Sequence, residues 1–138
     1  MKVILRRVDS NYKMEAANEH DNKIVFDNSK GGGGNEEGFR PMQTLLAAAG
    51  ACSSIDVISI LKKQKIETYD MTVTIEGERE TGKDANLWKK VHLHFTFTGD
   101  VPKEKAQRAV ELSVTKYCSV SKTLEAAGAA VTSSVEVR

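Results

Sequence analysis

The longest helix-competent stretch, Pro41 to Lys63 (PMQTLLAAAGACSSIDVISILKK), constrains the rest of the chain more than any other feature. Proline suits a first helical position, where its missing N–H would have no intrahelical partner and its fixed φ favours the turn. The residues that follow are apolar or small on nearly every side until Asp56, and a helix apolar all round belongs in an interior. This predicted central helix carries Cys52, one of only two cysteines. A covered thiol is by default a small hydrophobe. Cys52 lies about three turns into the helix, beyond the reach of the positive end of the helix dipole. Activating it therefore calls for a cation from elsewhere. Arg40, just before the helix, is at least ~15 Å away along the axis, so Arg6, Arg7, His20 and Lys23 are the candidates from other elements.

The 138 residues are expected to form one domain, 1–138, with a single core. Twenty basic residues oppose 19 acidic ones for a net charge of +1, and no basic run is interleaved with aromatics. That balance argues against nucleic acid or an anionic membrane as a partner. The uncharged segment from Pro41 to Ile55 is too short to span a bilayer. The opening MKVILRRVDS has three consecutive apolar residues before two arginines, well short of a signal-peptide core, so a cytoplasmic location is expected. Two cysteines 66 positions apart make no disulfide framework.

Val3 to Leu5 reads as the end of a first strand, and Tyr12 to Ala17 alternates with the period of a half-buried one. Turn residues at 20–23 then lead into Lys23 to Asp27, completing a small antiparallel sheet. Asn28 to Gly38, with four consecutive glycines, reads as a flexible linker, since it lacks both the Gly-Lys-Ser/Thr ending and the G-x-G-x-x-G context of a phosphate loop. After the central helix, Met71 to Glu78 and Leu87 to Thr98 form a second hairpin across a charged turn. His92 and His94 share one face of its return strand. Two histidines with no third ligand at nearby spacing predict a solvated sheet face and no metal site. Asp100 is the expected N-cap of a helix from Val101 to Tyr117. Cys118 follows, then a short helix from Val120 to Ala127 capped by Ser119 or Ser121 and stopped by Gly128, and finally a strand from Ala130 to Val137.

Cys118 sits at the junction of two helices, where its thiolate could feel the positive end of the second. One covered thiol and one junction thiol fit a peroxidatic and a resolving cysteine, in which oxidation to sulfenic acid is followed by disulfide closure.

The run GGGGNEEGFRPMQTLLAAAGACSSIDVISILKKQ, followed about 65 residues later by YCSVSKTL and a terminal strand, resembles the OsmC/Ohr family of osmotically inducible and organic-hydroperoxide-resistance proteins, and within it the YhfA-like branch. The resemblance covers nearly the whole chain in element order. It implies a two-layer α+β fold, with a long central helix wrapped by antiparallel sheets in an intertwined homodimer, and no cofactor. It further implies thiol-dependent reduction of organic hydroperoxides, with Cys52 peroxidatic, Cys118 resolving, and a thiol reductant as partner. In the hydroperoxide reductases a glutamate follows the helix-starting proline and holds an arginine of the N-terminal hairpin over the reactive thiol. Here Met42 stands in that place, Gln43 is the first polar residue, and the hairpin position falls near His20. The Glu–Arg pair is not carried over, which leaves Arg6, Arg7 or Arg40 as substitutes. It also keeps open an alternative reading, a dimeric module that binds a hydrophobic small ligand or senses redox state without efficient peroxidase chemistry.

Overall fold

A computed structural model describes all 138 residues, Met1–Arg138. The chain forms two compact units, Met1–Leu45 and Leu46–Arg138. In the first, strands β1 (Ile4–Arg7), β2 (Met14–Ala17) and β3 (Lys23–Phe26) make an antiparallel sheet in sequence order. The second expected strand starts late, because Asp9 Oδ1 accepts from the N–H groups of Asn11 (2.8 Å) and Lys13 (3.1 Å) and holds that segment in a turn.

The glycine-rich segment departs from the flexible linker expected of it. Asp27 is buried, and its carboxylate accepts the backbone N–H groups of Asn28 (2.8 Å), Asn35 (3.1 Å) and Glu37 (3.1 Å), so the loop is wound around it. Those donors, the Glu37 N–H first among them, hold the Asp27 carboxyl below its ordinary value against the opposing effect of burial. Glycine is needed for close approach rather than for freedom, since a Cβ on Gly34 would stand 2.2 Å from the Asn28 carbonyl oxygen.

Helix α1 (Pro41–Lys63) has the predicted bounds and runs on into the second unit. There β4 (Tyr69–Arg79) and β5 (Trp88–Gly99) form the expected antiparallel hairpin, from Tyr69 opposite Gly99 to Arg79 opposite Trp88. Helices α2 (Lys103–Leu112) and α3 (Ser119–Ala126) follow, and β6 (Ala130–Val137) closes the sheet on the other side of β5. The α+β class is as expected, with one correction. β6 runs parallel to β5, so the second sheet is mixed rather than antiparallel. The chain between β5 and β6 is a crossover through two helices, and such a connection returns the strand in the same direction.

Val91, Leu93, Phe95 and Phe97 alternate along β5 and point into the core, where Ala49, Val57 and Leu61 of α1 and Ala106, Ala109 and Val110 of α2 meet them. Within the chain α1 buries only the stripe Ala49, Gly50, Ser53, Val57 and Leu61. Ile55 and Ile58 stay 65% and 44% exposed. The apolar surround read from the sequence is thus half used by a single chain. By length and composition α1 could cross a membrane, yet its buried stripe is one wall of a packed core. Gly50 lets helix and sheet approach, because a Cβ there would lie 2.6 Å from Ile75 Cδ1. Helix α2 is shorter than predicted at both ends. Pro102 occupies its N-cap, while Asp100 donates its N–H to the Thr68 carbonyl (2.9 Å). At its C-terminal end, Ser113–Tyr117 widens into a π turn.

Candidate functional site

The two thiols are brought together by α1, the π turn and the start of α3. Ser113, the first residue of the π turn, has its hydroxyl 3.1 Å from the Ser53 carbonyl and 3.1 Å from Asp56 Oδ2, and donates to these α1 acceptors. The turn is thereby pinned to the helix that carries Cys52. π turns of this kind recur at functional sites. The widened turn ends at Cys118, whose N–H donates to the Ser113 carbonyl (2.8 Å) and whose backbone is extended at φ −67° and ψ 102°.

Cys118 is itself the N-cap of α3, in place of the serines favoured from sequence. Its Sγ accepts from the Ser121 N–H (3.4 Å) and from the Ser121 hydroxyl (3.2 Å). The sulfur stands where a capping oxygen normally would, and it satisfies a helix N-terminal donor in the same way. On its other side it lies 3.8 Å from the Ala49 carbonyl, to which the neutral thiol donates. The residue has no exposed surface. Burial pushes the Cys118 thiol up, but the Ser121 hydroxyl, the Ser53 hydroxyl, the Ser121 N–H and the Cys52 thiol together bring it below the ordinary thiol value. Ser53 Oγ is buried without a hydrogen bond of good geometry, so its proton is available to a neighbouring thiolate.

Cys52 lies beside this cluster, half-exposed, with Sγ 4.0 Å from Ser119 Oγ. Both cysteines are free thiols. The leading groups that favour ionisation of Cys118 are hydroxyls, an amide and a thiol, none of them a cation. Ser53 and Ser113 were not singled out from the sequence, and Ser121 only as a possible helix cap. The signal for Ser53 and Ser121 was the serine that follows each cysteine into a helix, C-S-S at 52–54 and C-S-V-S at 118–121, whereas Ser113 lies in neither run.

The supporting candidates lie in the N-terminal unit. Gln43 Oε1 accepts the Arg40 N–H (3.1 Å), and the Arg40 carbonyl accepts from the Thr44 N–H (3.2 Å), so Arg40 caps α1 and Gln43 reaches back to it as in a capping box. Met42 is half-buried in the first turn of α1. His20 sits on an exposed turn, where its N–H donates to Asn18 Oδ1 (2.9 Å). Lys23 pairs with Glu15 at 3.1 Å, and Arg7 donates to the carbonyls of Asn11 (2.8 Å) and Ser10. On the second sheet, both ring nitrogens of His92 face hydroxyls, Thr132 Oγ1 at 2.7 Å and Ser134 Oγ at 2.8 Å, which leaves it no lone pair directed at a metal shared with His94.

The family model described as OsmC-like protein matches residues 32–134, which contain both thiols, the π turn and all of α1. The chain belongs to the OsmC-like family. Protein YhfA of Escherichia coli K12 is a relative, 40% identical over 114 residues that cover 82% of this chain and 80% of that protein. Among solved structures, a hypothetical protein from Aquifex aeolicus is similar with a TM-score of 0.79 and 25% identity, covering 99% of this chain and 96% of that one. An organic hydroperoxide resistance protein OsmC from Legionella pneumophila shares the fold with a TM-score of 0.72 and 20% identity, over 99% and 97% of the two chains. These likenesses agree with the OsmC-like fold expected from the Gly-rich run, Pro41 to Lys63 and Tyr117 to Leu124. Some of the proteins that share this fold are named for hydroperoxide resistance.

Proposed function

We propose that this OsmC-like protein is a thiol-dependent peroxidase that reduces organic hydroperoxides. The observation that carries the reading is the unequal exposure of two neighbouring thiols, Cys52 half-exposed and Cys118 enclosed among donors. The Cys52 thiolate attacks the distal oxygen of the hydroperoxide, the O–O bond breaks, and the alkoxide leaves as the alcohol after taking a proton. The resulting Cys52 sulfenic acid is attacked at sulfur by the Cys118 thiolate, which forms a disulfide and releases water. An external dithiol then reduces the disulfide by exchange. Ionisation of Cys118 is favoured by the donors described above, which suits the second step.

Consumption of cumene hydroperoxide by the purified protein with a dithiol reductant tests the proposal. Activity absent in Cys52→Ser, and a trapped sulfenic acid after one turnover in Cys118→Ser, are expected. Equal rates in Cys52→Ser and wild type would refute it. The protein is further read as a homodimer, since Ile55, Ile58 and Tyr117 leave apolar surface open beside the thiols. Light scattering at two masses for wild type and Ile55→Glu checks this, with a monomeric wild type as the contrary result.

A second reading, a binding or redox-sensing module without efficient turnover, is favoured by Met42 in the first turn of α1 and by an apolar cavity of about 240 Å³ lined by Tyr12, Met14, Phe26 and Pro41. Thermal stabilisation by cumyl alcohol without hydroperoxide consumption would select it.

A further inference from the structure

On the face of the second sheet turned away from α1 and α2, four side chains form a continuous hydrogen-bonded array, with a carboxylate–guanidinium pair beside its end. The parallel register sets His92 opposite Thr132 and His94 opposite Ser134, all pointing outward. Ser134 Oγ lies 2.8 Å from His92 Nε2 and 2.7 Å from His94 Nδ1, and Thr132 Oγ1 lies 2.7 Å from His92 Nδ1. His94 Nε2 faces Glu136 Oε2 at 3.8 Å, and that carboxylate is held by both arms of the Arg138 guanidinium at 3.0 and 3.1 Å.

The proton positions follow from the end of the array. The Glu136 carboxylate, 3.8 Å from Nε2, attracts an N–H and repels a lone pair, so the His94 proton is placed on Nε2 and its Nδ1 is left with a lone pair. Ser134 has one proton, which it donates to that lone pair. Its oxygen then accepts from His92 Nε2–H, and His92 Nδ1 accepts from Thr132. Every donor points the same way along the chain, from Thr132 to Glu136. The part Ser134–His94–Glu136 therefore has the polarity of an activated nucleophile: a hydroxyl bonded to a base, and the base oriented by an acid. His92 Nε2–H, 2.8 Å from Oγ, is the one donor that the array sets beside the nucleophile. Single donor as it is, it restricts the chemistry to substrates with a good leaving group. A shallow groove of about 410 Å³, lined by Asp70, by threonines of β4 and β5 and by Arg138, opens over β4 and β5 beside His94, and Ser134 lies next to it on β6.

We infer that Ser134 is a nucleophile activated by His94, giving the protein a thiol-independent acyl-transfer site for small activated carboxylic esters on the outer face of its second sheet. Ser134 Oγ attacks the ester carbonyl carbon as its proton passes to His94 Nδ1. The new C–O bond forms, the bond to the leaving group breaks, and that group departs with the electron pair and takes the proton from His94. Water, deprotonated by the same nitrogen, then hydrolyses the acyl-serine.

The test is p-nitrophenyl acetate hydrolysis by the full chain carrying Cys52→Ser, with peptide mass spectrometry locating the acetyl group. Acetylation at Ser134 well above that at Ser133, on the opposite sheet face, is expected. Ser134→Ala should remove it, His94→Gln should slow it about 100-fold, as loss of a general base does, and Glu136→Gln should slow it to a smaller extent with unchanged circular dichroism. Ser134 acetylated no faster than Ser133, or undiminished labelling in both His94→Gln and Glu136→Gln, would overturn the inference.

Discussion

Ser121→Ala isolates what the capping arrangement does for Cys118. The substitution removes the hydroxyl at 3.2 Å from Sγ and leaves the Ser121 N–H at 3.4 Å in place, so the helix retains its cap. A hydrogen bond to a charged group contributes about 1.5–3 kcal/mol, and the lower figure suits a sulfur acceptor that keeps a second donor. At about 1.4 kcal/mol per factor of ten, the thiolate population of Cys118 falls about tenfold wherever the thiol is mostly protonated in both proteins. Intrinsic nucleophilicity rises with basicity at a Brønsted slope of about 0.4–0.5, which returns about threefold. Disulfide closure after a single turnover should then be about three- to fourfold slower in Ser121→Ala. At a pH high enough to ionise both proteins fully, only the nucleophilicity change remains, and the variant should be about threefold faster. Rapid mixing with substoichiometric hydroperoxide, followed by dimedone trapping of the sulfenic acid against time, reads both limits. Parallel pH profiles that never cross would refute the assignment of Ser121 as a donor to the thiolate, because damaged packing alone slows closure at every pH.

Gly50→Ala places a Cβ 2.6 Å from Ile75 Cδ1, and overpacking of this kind costs about 1–3 kcal/mol, offset by up to about 1 kcal/mol of helix propensity. Urea denaturation should report a net loss that Ile75→Val, which deletes that Cδ1, largely restores in the double variant; no restoration would mean the contact is not limiting. Asp27→Asn removes a carboxylate whose folded pKa is depressed, so its contribution is fully present above the unfolded value of about 3.9 and is lost as pH falls through the folded value. The variant should melt below wild type at neutral pH, and the gap should close in acid; a constant gap would point to shape rather than charge. The groups that favour ionisation of Cys118 are uncharged and enclosed, so the closure rate should change by less than about twofold between low and high salt, where a surface ion pair would be screened.

Helix α1 was legible to the residue, because Pro41 fixes its start and Lys62 and Lys63 close its end. Periodicity likewise revealed the inward set Val91, Leu93, Phe95 and Phe97. Pairing direction was not legible. The strand at 130–137 alternates equally well in either orientation, and only the crossover through α2 and α3 decides that it lies parallel to β5. The Gly-rich loop misled for a related reason. Composition counts glycines as freedom, whereas the ordering comes from one buried carboxylate, Asp27, whose donors lie up to ten residues further along the chain. At the site, the two cysteines and their contexts were readable. The roles of Ser53, Ser113 and Ser121 as partners of the thiols were not, since a serine carries no periodic signal and the placement of Ser113 depends on the π turn.

Met42, in the place where the resemblance to the hydroperoxide reductases implies a glutamate, looks in sequence like missing activation. The observed contacts argue for a different division of labour. Gln43 at the third helical position completes the α1 cap by accepting from Arg40, a role a neutral amide fills without requiring a cationic partner. Stabilisation of the Cys118 thiolate falls to neutral donors, the Ser121 hydroxyl and N–H together with Ser53. An arginine over the exposed sulfur would favour the first step, attack on the peroxide. Donors around the enclosed sulfur favour the second, capture of the sulfenic acid. On the proposed peroxidase reading, a protein arranged in this way would gain less in its reaction with peroxide than in sealing the oxidised form quickly, before over-oxidation of Cys52 to the sulfinic acid could compete.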